Sequence, residues 1–96
     1  VQQSDSIGWT ALMWAALKGR TDVVDALLDG GAKIETVDSD GNTPLILAAR
    51  QGRMETVRLL IKRGARVKAR TREGLGAADW AQTSGYPEIV ALLKAR

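Results

Sequence analysis

The chain has 96 residues, 45% of them hydrophobic and 26% charged, with a formal net charge of +3, which suits one small domain. It contains neither Cys nor His; this excludes a disulfide framework, a thiolate metal site and any chemistry that needs an imidazole. No run of about 18 apolar residues is present, so no helical membrane span is expected, and no secretory pattern opens the chain.

The chain begins at Val1 rather than Met, as a trimmed chain or a piece of something longer would. Residues 1–4 are short and polar and are expected to fray. Residues 5–8 read as a turn. Thr10 offers a hydroxyl at a helix N-cap, and a helix of about two turns follows over residues 11–18, closed by Gly19. A second helix starts near Thr21, with Asp22 in its first turn, where a carboxylate meets the positive end of the helix dipole. Val24, Leu27 and Leu28 are spaced i, i+3, i+4 and share one face. Gly31 is expected to stop this helix, and Asp29 is poorly placed for its negative C-terminal end.

The same plan recurs. Thr43 caps a helix over residues 44–51 that Pro44 opens, Pro being welcome where its missing N–H is not needed. Gly52 closes it. The following helix starts near Met54 with Glu55 in its first turn, carries Val57, Leu60 and Ile61 on one face, and ends near Gly64 with Lys62 and Arg63 suited to its C-terminal dipole. A third copy follows, its second helix starting at Pro87 with Glu88 in the first turn. The pairs Ala15-Ala16 and Ala48-Ala49 leave room for helices to approach closely, and larger residues there would overpack the stack.

Sliding the sequence by 33 residues superimposes Gly8, Gly41 and Gly74; Gly19, Gly52 and Gly85; Ala15, Ala48 and Ala81; and Leu27, Leu60 and Leu93. About 13 of 33 positions are identical between the first two copies. A fixed period in this range marks a solenoid, in which each unit buries its apolar face against the next. The run Gly41-Asn42-Thr43-Pro44-Leu45, then Ala48-Ala49, Gly52, Val57, Leu59-Leu60 and Gly64-Ala65, closely resembles the ankyrin repeat. The resemblance covers nearly the whole chain. It implies an all-α solenoid of three stacked helix–turn–helix repeats, over about residues 5–37, 38–70 and 71–96, with projecting β-turn fingers. It also implies protein–protein interaction as the usual role. No enzyme activity, cofactor, metal or small-molecule substrate is expected of the chain.

The third copy departs from the pattern: Gly76-Ala77-Ala78-Asp79 stands where the second has Thr43-Pro44-Leu45-Ile46. Residues 71–96 therefore read as a C-terminal cap, since a last repeat turns one face to water. The N-terminal end shows no comparable cap, leaving Trp14 under-protected unless another repeat precedes it. Trp14 and Trp80 stand in register with Leu47 and are expected in the core.

Catalytic alternatives find little support. Ser4, Ser6, Ser39 and Ser84 lack a base signature. Asp22 and Asp25, at i and i+3, read as a solvated helix surface rather than an acid–base pair. The run Asp38-Ser39-Asp40-Gly41-Asn42 lacks the Gly spacing and distant Glu of a calcium loop. Gly30-Gly31 lacks the Lys-Ser or Lys-Thr of a phosphate cradle.

In the resembling family the variable positions of the short helices and finger bases line a concave groove. The matching positions here are Trp9, Leu17, Lys18, Asn42, Arg50, Gln51 and Leu75, with Met13 and Ile46 beside them. The family usually has His where Met13, Ile46 and Asp79 stand, so its usual hydrogen bond is missing. Trp and Arg often anchor interfaces, so Trp9 is read as a partner contact, against the alternative that it packs on its own finger.

Charge is unevenly spread. Residues 5–37 carry three basic and five acidic groups, residues 38–70 eight and three, and residues 71–96 three of each. The cations Lys62, Arg63, Arg66, Lys68, Arg70 and Arg72 suit an acidic protein partner or, alternatively, nucleic acid or an anionic membrane surface. No aromatic interleaves them to stack on bases, and a plain solvated surface is the simplest reading. On an extended segment Arg66, Lys68, Arg70 and Arg72 would point one way, opposite Glu35, Asp38 and Asp40 one copy earlier. The expected location is cytoplasmic or nuclear.

Overall fold

The computed structural model describes residues 9–95. The expected turn over residues 5–8 and the fraying of residues 1–4 lie outside the described residues. Among the described residues six helices follow one another: α1 (Ala11–Lys18), α2 (Thr21–Asp29), α3 (Pro44–Arg50), α4 (Met54–Lys62), α5 (Ala77–Ser84) and α6 (Pro87–Lys94). They form three antiparallel pairs. The short helices α1, α3 and α5 pack side by side in that order, each packs on its own partner, and α2 packs on α4. The fold is all-α: among the described residues no strand forms, and Arg70 and Gly76 make a lone antiparallel bridge.

Local chemistry sets the boundaries. The Thr10 hydroxyl accepts the Met13 N–H at 3.3 Å and the Thr43 hydroxyl accepts the Ile46 N–H at 3.2 Å, each satisfying a donor that the helix leaves open. Gly76 has no side chain for this task. There the Asp79 carboxylate reaches back to accept the Gly76 N–H at 2.9 Å. The departure of the third copy from the Thr-Pro pattern thus carries its own cap. Helix α3 ends at Arg50, with Gln51 as its C-cap, one residue short of the sequence expectation.

Two glycines are required for more than the left-handed turn. Gly19 has φ 72°, and a Cβ there would stand 2.7 Å from Cδ of Arg53; Gly52 has φ 71°, and a Cβ would stand 2.5 Å from the Tyr86 ring. Arg53 and Tyr86 are one period apart, so the residue opening the second helix of each pair lies over the glycine of the pair before. Arg53 also donates its Nε–H to the Leu17 carbonyl at 3.0 Å.

The core runs through the stack along Leu12, Ala16, Val24, Leu45, Ile46, Ala48, Ala49, Val57, Leu60, Ala77, Ala81 and Ile89, all at most 2% exposed. Thr21 and Thr56 share a hydroxyl hydrogen bond of 2.8 Å between α2 and α4. Asp29, poorly placed for its own helix, accepts from Arg63 at 3.0 Å, and Asp25 from the same guanidinium at 2.7 Å. A cation at the end of α4 therefore answers both carboxylates of α2. The core expectation for Trp14 and Trp80 is corrected. Both are half-buried, Trp80 packing against the core from its edge, whereas Leu47 in register with them is 1% exposed; among the described residues Leu47 alone of the three has a helix pair on either side.

Candidate functional site

The loop before α3 is organised by Asp38. Its Oδ1 accepts the N–H groups of Asp40 and Asn42, both at 2.9 Å, and its Oδ2 accepts the Trp9 indole N–H at 2.7 Å and the Asn42 side-chain amide at 3.1 Å. Burial raises the carboxyl's pKa, but the Asn42 backbone and side chain, the Trp9 indole and the Asp40 backbone together hold it below its ordinary 3.8. One period later Thr71 takes over the role with a neutral hydroxyl, accepting the Leu75 N–H at 3.4 Å. The two loops touch: the Arg72 N–H donates to the Asp40 carbonyl at 2.9 Å and Arg72 Nη1 donates to the Ser39 carbonyl at 3.1 Å.

The Asp38 network orients Asn42. With its amide nitrogen held by Asp38, the Asn42 oxygen accepts from Arg50 Nη1 at 3.2 Å. The Arg50 guanidinium then lies over the Trp80 ring, 4.0 Å from its centroid, a cation–π contact of about 0.5–2 kcal/mol. Asp40, Asn42, Arg50, Thr71, Arg72, Glu73 and Trp80 together line an open cleft of about 330 Å³ on the face built by α3, α5 and their preceding loops.

Several sequence expectations meet in this cleft and several do not. Asn42, Arg50 and Arg72 are brought together. Met13 and Ile46 are 0% and 1% exposed, which corrects their reading as partner contacts. At the position that usually carries His, Met13 and Ile46 are enclosed apolar side chains, whereas Asp79, in register with them, is exposed. Asn42, 4% exposed, spends its side chain on Asp38 and Arg50 and positions the site. Trp9 packs edge-on against Trp14 with centroids 4.5 Å apart and gives its N–H to Asp38. Its indole is thus tied to the loop one copy on rather than to its own finger, and the residue stays partly exposed. Leu17 and Leu75 are half-buried, while Lys18 and Gln51 are exposed at the ends of their helices; none of these four lines the cleft.

The cation row is also corrected. The Ala69 N–H donates to the Arg66 carbonyl at 3.4 Å, so a turn interrupts the extended segment that would have aligned the side chains. The acidic residues one copy earlier meet the row through its backbone: Glu35 accepts the Arg66 N–H at 2.7 Å. Arg66, Lys68, Arg70 and Arg72 remain exposed. Among the described residues the only ion pairs are those of Arg63.

Sequence reasoning missed Trp80, Thr71 and Glu73. A signal for Trp80 existed. Thr83 is the register equivalent of Arg50, and Trp80 lies one helical turn before Thr83 on the same face, within reach of a long side chain from the neighbouring helix.

Comparison with known proteins agrees with this architecture. A family model described as "Ankyrin repeats (many copies)" matches residues 12–61. Over 34 residues the chain is 53% identical to the G patch domain and ankyrin repeat-containing protein 1 homolog of Drosophila melanogaster, a match covering 35% of this chain and 10% of that protein. With the family model matching half of its length and helix pairs stacked at the 33-residue period, the chain belongs to the ankyrin-repeat family.

Proposed function

We propose that this chain recognises another protein through the face formed by α3, α5 and the loops preceding them, with the Arg50–Trp80 cleft as the anchoring point. Ankyrin repeats are generally protein–protein interaction modules, and the family is typically non-enzymatic. The observation that carries the reading is Arg50 itself. An Arg fixed on a Trp face and open to a cleft combines the residue types that most often dominate interface energetics, and its orientation is set before any partner arrives, which lowers the cost of binding. Capture from cell extract with wild type beside Arg50→Ala and the outer-helix control Arg58→Ala tests it. Proteins retained by wild type and by Arg58→Ala should be lost with Arg50→Ala; equal retention by all three overturns the reading.

A second reading, electrostatic binding of nucleic acid or anionic lipid, has the exposed Arg66, Lys68, Arg70 and Arg72 in its favour. Phosphate contacts give a steep fall of affinity with salt on a log–log plot, and a specific protein cleft does not. A salt titration of binding to duplex DNA and to vesicles containing phosphatidylserine separates the two.

A further inference from the structure

We propose that the cleft reads a single carboxylate side chain, Asp or Glu, on the partner protein, and that it favours one flanked by neutral or basic residues over an acidic tract. The inference rests on the recognition reading above and adds the chemistry of the contact. The Arg50 guanidinium is closed on one face by Trp80, 4.0 Å away, and tied at one N–H to Asn42, which Asp38 holds in turn. What remains open is the edge of the fork, and a fork edge matches a carboxylate in geometry as well as charge.

Second, this fixed cation lacks a counter-ion. Asp40 and Glu73 line the same cleft, yet among the described residues no carboxylate stands within ion-pair distance of Arg50 or of Arg72. The Arg72 guanidinium, anchored at Nη1 to the Ser39 carbonyl, adds a second positive charge. Asp40 and Glu73 are exposed and stand one period apart in the two loops. A lone carboxylate entering the cleft can pair with Arg50, whereas a run of carboxylates also brings charge against Asp40 and Glu73, which line the same cleft, the repulsive element that gives discrimination. Basic neighbours on the partner gain the same two rim groups as partners.

The arrangement also disfavours phosphate and bases. A phosphate ester with a charge near −2 meets the rim repulsion more strongly. A nucleobase would need an aromatic face on which to stack, and Arg50 already occupies one face of Trp80 in the cleft.

The test is an NMR titration of the ¹⁵N-labelled chain, following the Arg50 Nε–H and Trp80 Nε1–H signals. The probes are four blocked pentapeptides: Gly-Lys-Glu-Lys-Gly, its Gln counterpart, Gly-Glu-Glu-Glu-Gly and Gly-Lys-phosphoserine-Lys-Gly. The Lys-flanked Glu peptide should shift both signals and bind about tenfold more tightly than the Gln and triple-Glu peptides, the scale of one charge-assisted forked contact. Arg50→Gln should abolish the preference over Gln, Arg50→Lys should only narrow it, since Lys keeps the charge without the fork, and Glu73→Gln should narrow the preference over triple Glu. Equal affinity for Glu and Gln, tighter binding of triple Glu, tighter binding of phosphoserine, or no shift at millimolar peptide each overturns the proposal. If the peptides fail while extract capture still depends on Arg50, the recognition reading survives and the carboxylate inference alone falls.

Discussion

Helices α3 and α5 occupy equivalent places one period apart, and their contrast explains where the stability of the stack lies. In α3 every residue from Pro44 to Ala49 is buried; in α5 only Ala77 and Ala81 are. The difference lies in neighbours rather than helix propensity. Helix α3 has α1 on one side, α5 on the other and α4 behind, while α5, with α6 behind it, has among the described residues a neighbouring pair on one side only. A helix that is apolar all round belongs between neighbours, and a polar face belongs at an edge. Asp79 shows the rule most clearly. In register with fully buried Ile46, it is exposed and caps its own helix.

The largest expected effect comes from making α3 resemble α5. Ile46→Asp places a carboxylate with no partner in the stack centre and should cost more than about 3 kcal/mol, enough to unfold much of a domain this small. Urea titration followed by circular dichroism measures it, and a midpoint near that of wild type would show that α3 is not enclosed as described.

A smaller effect sharpens the contact between pairs. Gly52→Ala and Gly85→Ala both put a side chain at positive φ, 71° and 86°, at about 1–2 kcal/mol. Only Gly52 also faces a ring, that of Tyr86. Gly52→Ala should therefore melt lower than Gly85→Ala, and adding Tyr86→Ala should remove the difference. Equal melting of the two single variants would mean that Tyr86 yields without cost.

The two loops differ in the same instructive way. Asp38 is ionised and accepts four hydrogen bonds, whereas Thr71 is neutral. Because the folded pKa of Asp38 lies below the unfolded value, its contribution is fully present above about pH 4, near the unfolded carboxylate value, and is lost as pH falls through the folded pKa. Asp38→Asn should lower stability at neutral pH by about 1–2 kcal/mol, the scale of hydrogen bonds to a charged acceptor, and flatten the acid limb. Thr71→Ser should leave that limb as it is. Thermal melts between pH 2.5 and 7 compare the three.

The smallest effect is that of Arg63→Ala, about 0.5 kcal/mol, because its pairs with Asp25 and Asp29 are well exposed to solvent. The loss should shrink further in molar salt. A loss above about 2 kcal/mol would mean that α2 and α4 depend on this bridge more than on packing.

Most of the helical architecture was legible in the sequence because its signals are local. Thr10 and Thr43 cap where they stand, and the starts at Thr21, Met54 and Pro87 coincide with those observed. The site was less legible, because it arises from side chains meeting across the period. Register alone assigned Met13 and Ile46 to a surface, yet what decides exposure is whether a neighbouring pair covers the position. Alternation alone put four cations in one row, yet one hydrogen bond from Ala69 to Arg66 breaks it. Trp9 has the residue type of an interface anchor, and only the structure shows that its indole N–H is given to Asp38 on the next loop. Arg50 was singled out for its type and position, but its orientation depends on Asn42, Asp38 and Trp80 together.

The most direct test of partner recognition on the α3–α5 face is site-specific photo-crosslinking. A photoreactive amino acid placed at Glu73, exposed on the rim of the cleft, is compared in cell extract with the same group at Arg58, exposed on outer helix α4. Position 73 should yield a discrete protein adduct that disappears in the Arg50→Ala background, and position 58 should yield none. An adduct formed at position 58 alone, or formed at position 73 regardless of Arg50, would contradict the account.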